Sequence, residues 1–369
     1  MAEQHKKIYV YAHWEGMPEA ELMGILSVSE SRGKEIFSFE YDDSWLESRE
    51  RVLLDPGLQF YSGPQYVYDE KPNFGLFTDS APDRWGRMLI KRREAFDARA
   101  HGRLQKRLFE SDFLLGVYDG SRMGGLRYKT EKNSEFLDNN HTFASPPWTS
   151  IRELENASLK LEGEDAEKNS SYRRWLNLLV GPGSSLGGTR PKAVVRDSDN
   201  HLWIAKFPGR NDEVDSGAWE MVVHELAQRA GIKMSACRAE KFTSRHHTFL
   251  TKRFDRSPMQ ERIHYSSAMT MLGYGDGAGA AAGVSYIEIA EFLVRHGASP
   301  DEDLKQLWKR VVFSIAVSNT DDHLRNHGFL LTPFGWQLIQ SFRQYLKTFE
   351  YIRDLILQLM FPEVCLRGI

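Results

Sequence analysis

Eight consecutive residues, Asn319-Thr-Asp-Asp-His-Leu-Arg-Asn326, constrain this chain more than any other stretch of its sequence. An apolar run, 311–317, precedes them, and a second apolar stretch that meets a turn signal, 329–335, follows. This context predicts a polar loop between a buried helix and a β-hairpin. Loops this polar are usually solvated turns, so the spacing of the charged residues has to decide whether this one carries chemistry.

Within the loop, Asp321 and Asn326 are five residues apart. That is the interval of the D-x-x-x-x-N catalytic loop that serves phosphoryl transfer in protein kinases. There the aspartate orients or accepts the proton of the attacking hydroxyl, and the asparagine offers a neutral oxygen to magnesium. The spacing alone occurs often by chance, and its meaning therefore depends on the sequence upstream.

Composition excludes several classes of protein. A chain of 369 residues is long for one hydrophobic core and predicts two or three subdomains. The formal net charge of −3 gives no general argument for nucleic-acid or membrane binding. The two cysteines, Cys237 and Cys365, lack metal-ligand spacing, and no apolar run is long enough to cross a bilayer. We therefore expect a cytoplasmic protein.

The N-terminal region predicts a small antiparallel sheet. Three runs, 8–11, 22–26 and 35–41, have the composition of strands, and alternation in the third puts its aromatic residues on one face. A helix is expected to begin at Pro82 with Ser80 as its cap, because proline is favoured in the first helical turn.

A second predicted helix covers 109–117. The segment 130–170 is rich in Glu, Asn, Ser and Pro, and it predicts a linker with one or two short surface helices.

A glycine- and serine-rich stretch, 181–192, leads directly into a predicted strand. Its glycines allow backbone N–H groups to approach a phosphate closely. It is not a P-loop, because the Gly-Lys-Ser/Thr ending is missing and a strand follows instead of a helix. The alternative interpretation is a flexible hinge between domains.

The next strand, 202–208, carries Lys206 inside an apolar run, and the helix predicted from Ser216 to Ala230 carries Glu220 at the margin of its buried stripe. The sequence has a glycine loop, then a hairpin, then a strand that bears a lysine. Protein kinases have the same order in the part that binds the ATP phosphates, where the lysine pairs with a helical glutamate. The alternatives are a lysine that snorkels at a sheet edge and a solvated glutamate.

Two further predicted strands, 233–242 and 248–254, end in the charged sequence Lys252-Arg-Phe-Asp-Arg256. This segment suits a hinge that lays backbone groups against an adenine, and a charged strand end in solvent is the alternative. The helices expected at 286–297 and 301–317 predict a helical lobe that ends at the polar loop.

In this order the motifs resemble the HipA family, the serine/threonine kinase toxins of bacterial toxin–antitoxin pairs. The resemblance is carried by the glycine–serine loop, Ile204-Ala-Lys-Phe-Pro208, the 252–256 segment and the sequence from Asn319 to Gly328. Two N-terminal stretches, Phe77–Gly86 and Gly116–Arg127, also agree with the family.

The resemblance implies an α+β fold of the two-lobed protein-kinase type. The implied divisions are an N-terminal β-rich subdomain over 1–130, a linker over 131–170, a β-rich nucleotide-binding lobe over 171–256, a helical catalytic lobe over 257–338 and an atypical tail over 339–369.

It also implies roles for individual residues. Asp321 would be catalytic, Asn326 would bind metal, and Ser185, or Ser184 beside it, would be autophosphorylated. The implied nucleotide-binding residues are Gly187, Gly188, Lys192, Lys206, Lys252, Phe254, Asp255 and His323, with Glu220 supporting Lys206.

The implied cofactors are ATP and Mg²⁺. The implied partners are a HipB-like DNA-binding antitoxin and a protein substrate such as an aminoacyl-tRNA synthetase. Nucleic acid would be reached only through the antitoxin, and no membrane is involved.

The resemblance ends where the family presents a second metal-binding aspartate. No aspartate occurs between Asp322 and Asp354. The tail has apolar residues at helical spacing and is either an amphipathic helix or an out-of-frame ending, which is the interpretation we prefer; those residues are Tyr345, Phe349, Ile352, Ile356 and Leu359.

Two functions therefore stay open, an impaired HipA-type kinase and a non-catalytic scaffold that binds an antitoxin. A glycine-rich metabolic enzyme is disfavoured, because no Rossmann unit is present.

Overall fold

The computed structural model describes residues 5–47, 52–68, 71–137, 145–183 and 190–339. Helices and three antiparallel sheets alternate along this part of the chain, which confirms the predicted α+β class. None of the helices described is long and apolar enough to cross a bilayer.

The first sheet contains the predicted N-terminal strands. Its strand order is β4-β3-β2-β1-β5, with β1 at Lys6–Ala12, β2 at Glu21–Ser31, β3 at Lys34–Tyr41, β4 at Gln65–Tyr66 and β5 at Leu126–Lys129. Phe37, Phe39 and Tyr41 are all buried, as their alternation predicted, because one face of the sheet covers a hydrophobic core.

Four helices follow or interrupt this sheet: α1 (Asp43–Glu47), α2 (Gly75–Asp79), α3 (Arg84–Ala100) and α4 (Glu110–Leu115). The cap predicted for α3 is wrong. Asp83, not Ser80, precedes the helix and accepts a hydrogen bond of 2.8 Å from the backbone N–H of Gly86. Ser80 instead terminates α2.

Residues 145–183 differ from the expected linker with surface helices. Helix α5 (Ile151–Leu161) buries Ile151, Leu154 and Leu161 completely, and α6 (Tyr172–Gly183) continues to the end of this described segment. These helices and α3 pack on the second sheet in one hydrophobic cluster, so the helices are part of a core. The first glycines of the 181–192 stretch are therefore helical.

The second sheet has the strand order β6-β7-β9-β8, with β6 at Lys192–Arg196, β7 at Leu202–Lys206, β8 at Cys237–Glu240 and β9 at Thr248–Lys252. Helix α7 (Ser216–Arg229) packs on it. Val223 of α7 is fully buried, whereas Ala230, the predicted last residue of this helix, is exposed and follows its observed end at Arg229.

The C-terminal part contains β10 (Tyr265–Ser267), α8 (Ala268–Met271), α9 (Tyr286–His296), α10 (Pro300–Ala316), β11 (Gly328–Thr332) and β12 (Gly335–Leu338). Strands β11 and β12 form the predicted hairpin beside the polar loop.

The end of α10 is not the fully buried helix that its sequence predicted. Val317 and Leu307 are buried, but Trp308 and Ile315 are 67% and 74% exposed. Only one face of α10 packs against α7 and α9, and its opposite face is open in the part of the chain described here.

A buried carboxylate, Asp255, connects the end of β9 to the N-terminal region. Arg253 donates hydrogen bonds of 2.8 and 2.6 Å to its two oxygens, and Arg256 donates one of 2.7 Å. The backbone N–H of Gly124, just before β5, donates another of 2.9 Å. Burial alone would raise the pKa of Asp255, but the two guanidinium groups hold it well below its ordinary value.

A second carboxylate extends this network. Asp119 accepts a hydrogen bond of 2.7 Å from Arg127 of β5 and one of 3.2 Å from Arg262, which precedes β10. We call the six side chains the ionic junction: Asp119, Arg127, Arg253, Asp255, Arg256 and Arg262. The junction ties the first sheet to the second and to the C-terminal part.

Replacement of Asp255 by asparagine is expected to destabilise the protein strongly. The variant leaves the buried guanidinium of Arg253 without its compensating charge, which costs about 3–5 kcal/mol. Chemical denaturation of the wild type and Asp255→Asn measures the loss. The exposed Asp199→Asn is the matched control and should change the free energy of unfolding by less than about 0.5 kcal/mol.

The same interaction has a defined pH dependence. Because the pKa of Asp255 is lower in the folded chain than the value of about 3.9 in the unfolded chain, its stabilisation is complete above that value. It is lost as the pH falls through the lower, folded pKa. A difference in unfolding free energy between wild type and Asp255→Asn that does not shrink upon acidification below that value would contradict this assignment.

Candidate functional site

Lys206, at the end of β7, forms an ion pair with Glu220 of α7. The Nζ–Oε2 distance is 2.6 Å, and both side chains are largely buried. Strand β7 lies between β6 and β9, so Lys206 does not snorkel at a sheet edge. Glu220 is likewise not a solvated glutamate. This arrangement fixes an ammonium group on the inner strand of the second sheet, next to the ring of Phe249.

Lys192 lies directly opposite Lys206 in the β6–β7 register. Its ammonium group, however, makes a 2.5 Å ion pair with Asp83, and the two side chains are 3% and 6% exposed. The indole N–H of Trp85 also donates to the backbone carbonyl of Lys192, at 3.1 Å. The Lys192 side chain therefore holds α3 against β6, which differs from the expected contact with nucleotide.

The polar loop begins where α10 ends. Ser318 adopts a left-handed conformation, φ +53°, and the N–H of Asn319 donates back to the carbonyl of Ser314. The side-chain amide of Asn326 donates a 2.6 Å hydrogen bond to the backbone carbonyl of Asp321, closing the loop over five residues. The carboxylate of Asp321 is half-buried and has no partner among the described residues.

Asn326 also fits its implied role as a metal ligand. Its side-chain oxygen is buried and has no hydrogen-bond partner in the described part of the chain. A neutral amide oxygen is a hard ligand of the kind that magnesium accepts. His323, three residues earlier, is exposed.

Asp322, next to Asp321, holds the loop in place. One of its carboxylate oxygens lies 2.9 Å from Nε2 of His327, and the other accepts a 2.8 Å hydrogen bond from the hydroxyl of Tyr286 at the start of α9. Burial would raise the pKa of Asp322, but the contacts with His327 and Tyr286 hold it below its ordinary value. No sequence signal distinguished this anchoring role from catalysis.

The helix that bears Glu220 also contacts the start of the polar loop. Val223 of α7 packs against Val317, and both side chains are almost completely buried. Val317 is four residues before Asp321, and Val223 is three residues after Glu220. The ion pair and the loop are therefore linked through one apolar contact.

The segment expected to form the adenine hinge, 252–256, lies in a mixed environment. Lys252 is half-buried in β9, where its N–H donates to the carbonyl of Ala236, and the Phe254 ring packs 5.5 Å from the ring of Tyr265. The side chain of Asp255 is 0% exposed within the ionic junction. Its carboxylate is consequently a structural group, and any contact with nucleotide from Asp255 has to come from its backbone.

Four predicted residues of the glycine–serine loop, Ser184, Ser185, Gly187 and Gly188, lie outside the described residues, as do the tail residues after Ile339. Arg190 is the first described residue after this loop, and its guanidinium pairs with Asp212 just before α7. That pair anchors the exit of the loop.

Comparison with known proteins gives a family match for part of the chain. The HipA-like C-terminal domain matches residues 184–341. A protein from Haemophilus influenzae named "Putative kinase" is 29% identical over 87 residues, which are 22% of this chain and 25% of that protein. The match thus spans only a quarter of the length of that relative.

Among solved structures, the fold is similar to that of HipA from Shewanella oneidensis MR-1, which was solved with HipB and operator DNA. The TM-score is 0.59 at 14% sequence identity, and the match covers 93% of this chain and 77% of that one. The similarity therefore extends through the N-terminal region as well as the domain at 184–341. The match at 184–341 therefore assigns a HipA-like C-terminal domain to that part of the chain, and the fold over most of the chain is similar to that of the Shewanella protein.

Proposed function

We propose that this chain is a HipA-type protein serine/threonine kinase, the toxin component of a toxin–antitoxin pair. It transfers the γ-phosphoryl group of ATP to a serine or threonine of a cellular protein. The observation that carries the proposal is the link, through Val223 and Val317, between the Lys206–Glu220 ion pair and the loop that bears Asp321 and Asn326.

In the proposed reaction, the substrate hydroxyl oxygen forms a bond to the γ-phosphorus while the bond to the β,γ-bridging oxygen breaks. ADP departs with that electron pair, and the hydroxyl proton passes to the carboxylate of Asp321. Lys206 holds the phosphates of ATP, and Glu220 holds Lys206. Asn326 would hold Mg²⁺ through its side-chain oxygen, and the ion would neutralise charge on the phosphates.

Autophosphorylation is proposed for the glycine–serine loop, at Ser185 or Ser184. His323, Lys252 and the backbone of 254–255 are proposed nucleotide contacts, together with Gly187 and Gly188. The protein substrate is proposed to be of the aminoacyl-tRNA synthetase class, on the resemblance alone.

The alternative function is a non-catalytic scaffold that binds a HipB-like DNA-binding antitoxin. It is favoured by the sequence after Leu338, which lacks an aspartate to take the second metal-binding position before Asp354. Electrostatic stabilisation dominates phosphoryl transfer, so loss of a carboxylate ligand would lower the rate by several orders of magnitude. The solved complex of the Shewanella protein with HipB supports the antitoxin as the partner in both alternatives.

Incubation with labelled ATP and Mg²⁺ should yield slow incorporation of phosphate at Ser184 or Ser185. Asp321→Ala should reduce the rate by about 10²–10⁴-fold, because it removes the proton acceptor. Mass spectrometry of the phosphorylated peptide measures both. The exposed Asp199→Ala serves as a control and should leave the rate unchanged. If Asp321→Ala incorporates phosphate as fast as the wild type, Asp321 is not the base. If the wild type incorporates no phosphate but binds the antitoxin tightly, the scaffold is the correct alternative.

Nucleotide affinity should depend on Lys206 whichever alternative holds, provided that ATP binds. Lys206→Met removes one charge-assisted contact, and calorimetry with ATP and Mg²⁺ should show binding about ten- to a hundredfold weaker. Glu220→Gln should weaken it less, and the double variant should be non-additive because the two side chains touch.

The matched control for this series is Lys241→Met, which removes an exposed lysine from the loop after β8. Equal affinities for the wild type and Lys206→Met would exclude a phosphate contact by Lys206.

A further inference from the structure

We propose that residues 79–85, which connect α2 to α3 in the N-terminal region, set the relative position of the two halves of the nucleotide site. Asp79 and Asp83 are the positioning residues. One half is the polar loop with Asp321 and Asn326, and the other is the strand pair that carries Lys206. The inference rests on the proposed function, which it extends to the N-terminal region.

Asp79, the last residue of α2, contacts the start of α8. Its Oδ2 accepts a 2.7 Å hydrogen bond from the backbone N–H of Ser267 and a 3.4 Å bond from the hydroxyl of Ser266. Ser267 is the N-cap of α8, because its own hydroxyl accepts from the N–H of Thr270. Asp79 therefore fixes the orientation of a helix cap from another part of the chain.

Helix α8 in turn contacts the polar loop on both sides of Asn326. The N–H of Ala268 donates a 3.0 Å hydrogen bond to the carbonyl of His327. On the other side, Nε of Arg325 lies 3.4 Å from the sulfur of Met269. A displacement of α8 would therefore move the residues that flank the proposed metal ligand.

Helices α2 and α8 are in close contact at Gly75. A Cβ added at Gly75, the first residue of α2, would lie 2.7 Å from the side chain of Thr270. Only glycine allows this approach of the helix backbone. The position of α2 therefore constrains that of α8.

The other end of the 79–85 segment holds the strand opposite Lys206. Asp83 caps α3 and pairs with the buried ammonium of Lys192 at 2.5 Å, and Trp85 donates to the carbonyl of Lys192. Lys192 faces Lys206 across the β6–β7 ladder. Four residues after Asp79, the segment thus reaches the phosphate-binding half of the site.

The middle of the segment is also fixed. The hydroxyl of Ser80 shares a 2.5 Å hydrogen bond with the hydroxyl of Tyr128, and Arg122 donates a 2.8 Å bond to the carbonyl of Ser80. Pro82 restricts its own backbone φ angle. The segment is therefore a stiff connection between its two ends rather than a flexible link.

Hydrogen exchange of the full chain, measured by mass spectrometry without nucleotide, tests the two ends separately. In Asp79→Ala, amides at 267–269 and 324–331 should exchange about tenfold faster, since loss of one buried hydrogen bond costs about 1.4 kcal/mol, while amides at 202–206 stay unchanged. In Asp83→Asn the amides at 202–206 should exchange faster, while those at 267–269 and 324–331 stay unchanged. Asp79→Asn, which keeps an oxygen for the N–H of Ser267, should rescue the loop.

Asp43→Ala is the matched control, because Asp43 is an exposed aspartate of the same region, in α1. It should leave exchange unchanged at both ends. Uniform acceleration in Asp79→Ala, or acceleration confined to α2, would show a structural role only and overturn the proposal.

Nucleotide binding supplies the second readout. The dissociation constant of ATP should rise about tenfold in Asp79→Ala with Mg²⁺ present and stay unchanged in EDTA, because only the loop half is displaced. Asp83→Asn should weaken binding in both conditions. Equal effects of the two variants in both conditions would contradict separate positioning.

If the wild type binds no ATP, the proposed function fails. The exchange pattern still decides the positioning role.

Discussion

The burial of Asp255 between Arg253 and Arg256 is the interaction on which the arrangement of this chain depends. A buried carboxylate is costly unless its partners are in place, and one of those partners is the backbone of Gly124 in the N-terminal region. The first sheet therefore cannot separate from the second without breaking the hydrogen bond from Gly124 to Asp255 and the contact of Asp119 with Arg262.

The candidate site contains groups that would orient a nucleotide, but it contains fewer groups that would neutralise the charge of the nucleotide. Lys206 supplies one positive charge, and Asn326 supplies a metal ligand without charge. The sequence between Asp322 and Asp354 has no aspartate that would add a charged ligand to a metal at this site. Binding of ATP needs only the first set of groups, whereas transfer needs both. The proposed kinase function therefore depends on both sets of groups, whereas antitoxin binding by the alternative scaffold does not.

Local patterns predicted what local forces determine. The alternation of Phe37, Phe39 and Tyr41 identified the first sheet, whereas the order of strand and helix left the Lys206–Glu220 pair open beside a solvated glutamate. The sequence failed where a partner is distant along the chain. Lys192 resembled a phosphate ligand because Asp83, 109 residues away, is invisible as its partner. Segment 151–161 resembled a linker because its many polar residues made the apolar stripe difficult to recognise. That stripe is fully buried and packs on α3 and α6.

The contacts of Asp79 and Asp83 bear on what an isolated 184–341 domain would do. Two-lobed kinases change the distance between lobes as they close on their substrates. In this chain both halves of the site are held by residues 79–85, so closure has to move α2 and α3 as well. Excision of the N-terminal region would leave Lys192 without Asp83 and remove the fixed cap contact at α8. If the proposed function holds, the N-terminal region positions the nucleotide site, and binding of a partner there would bear on both halves of that site.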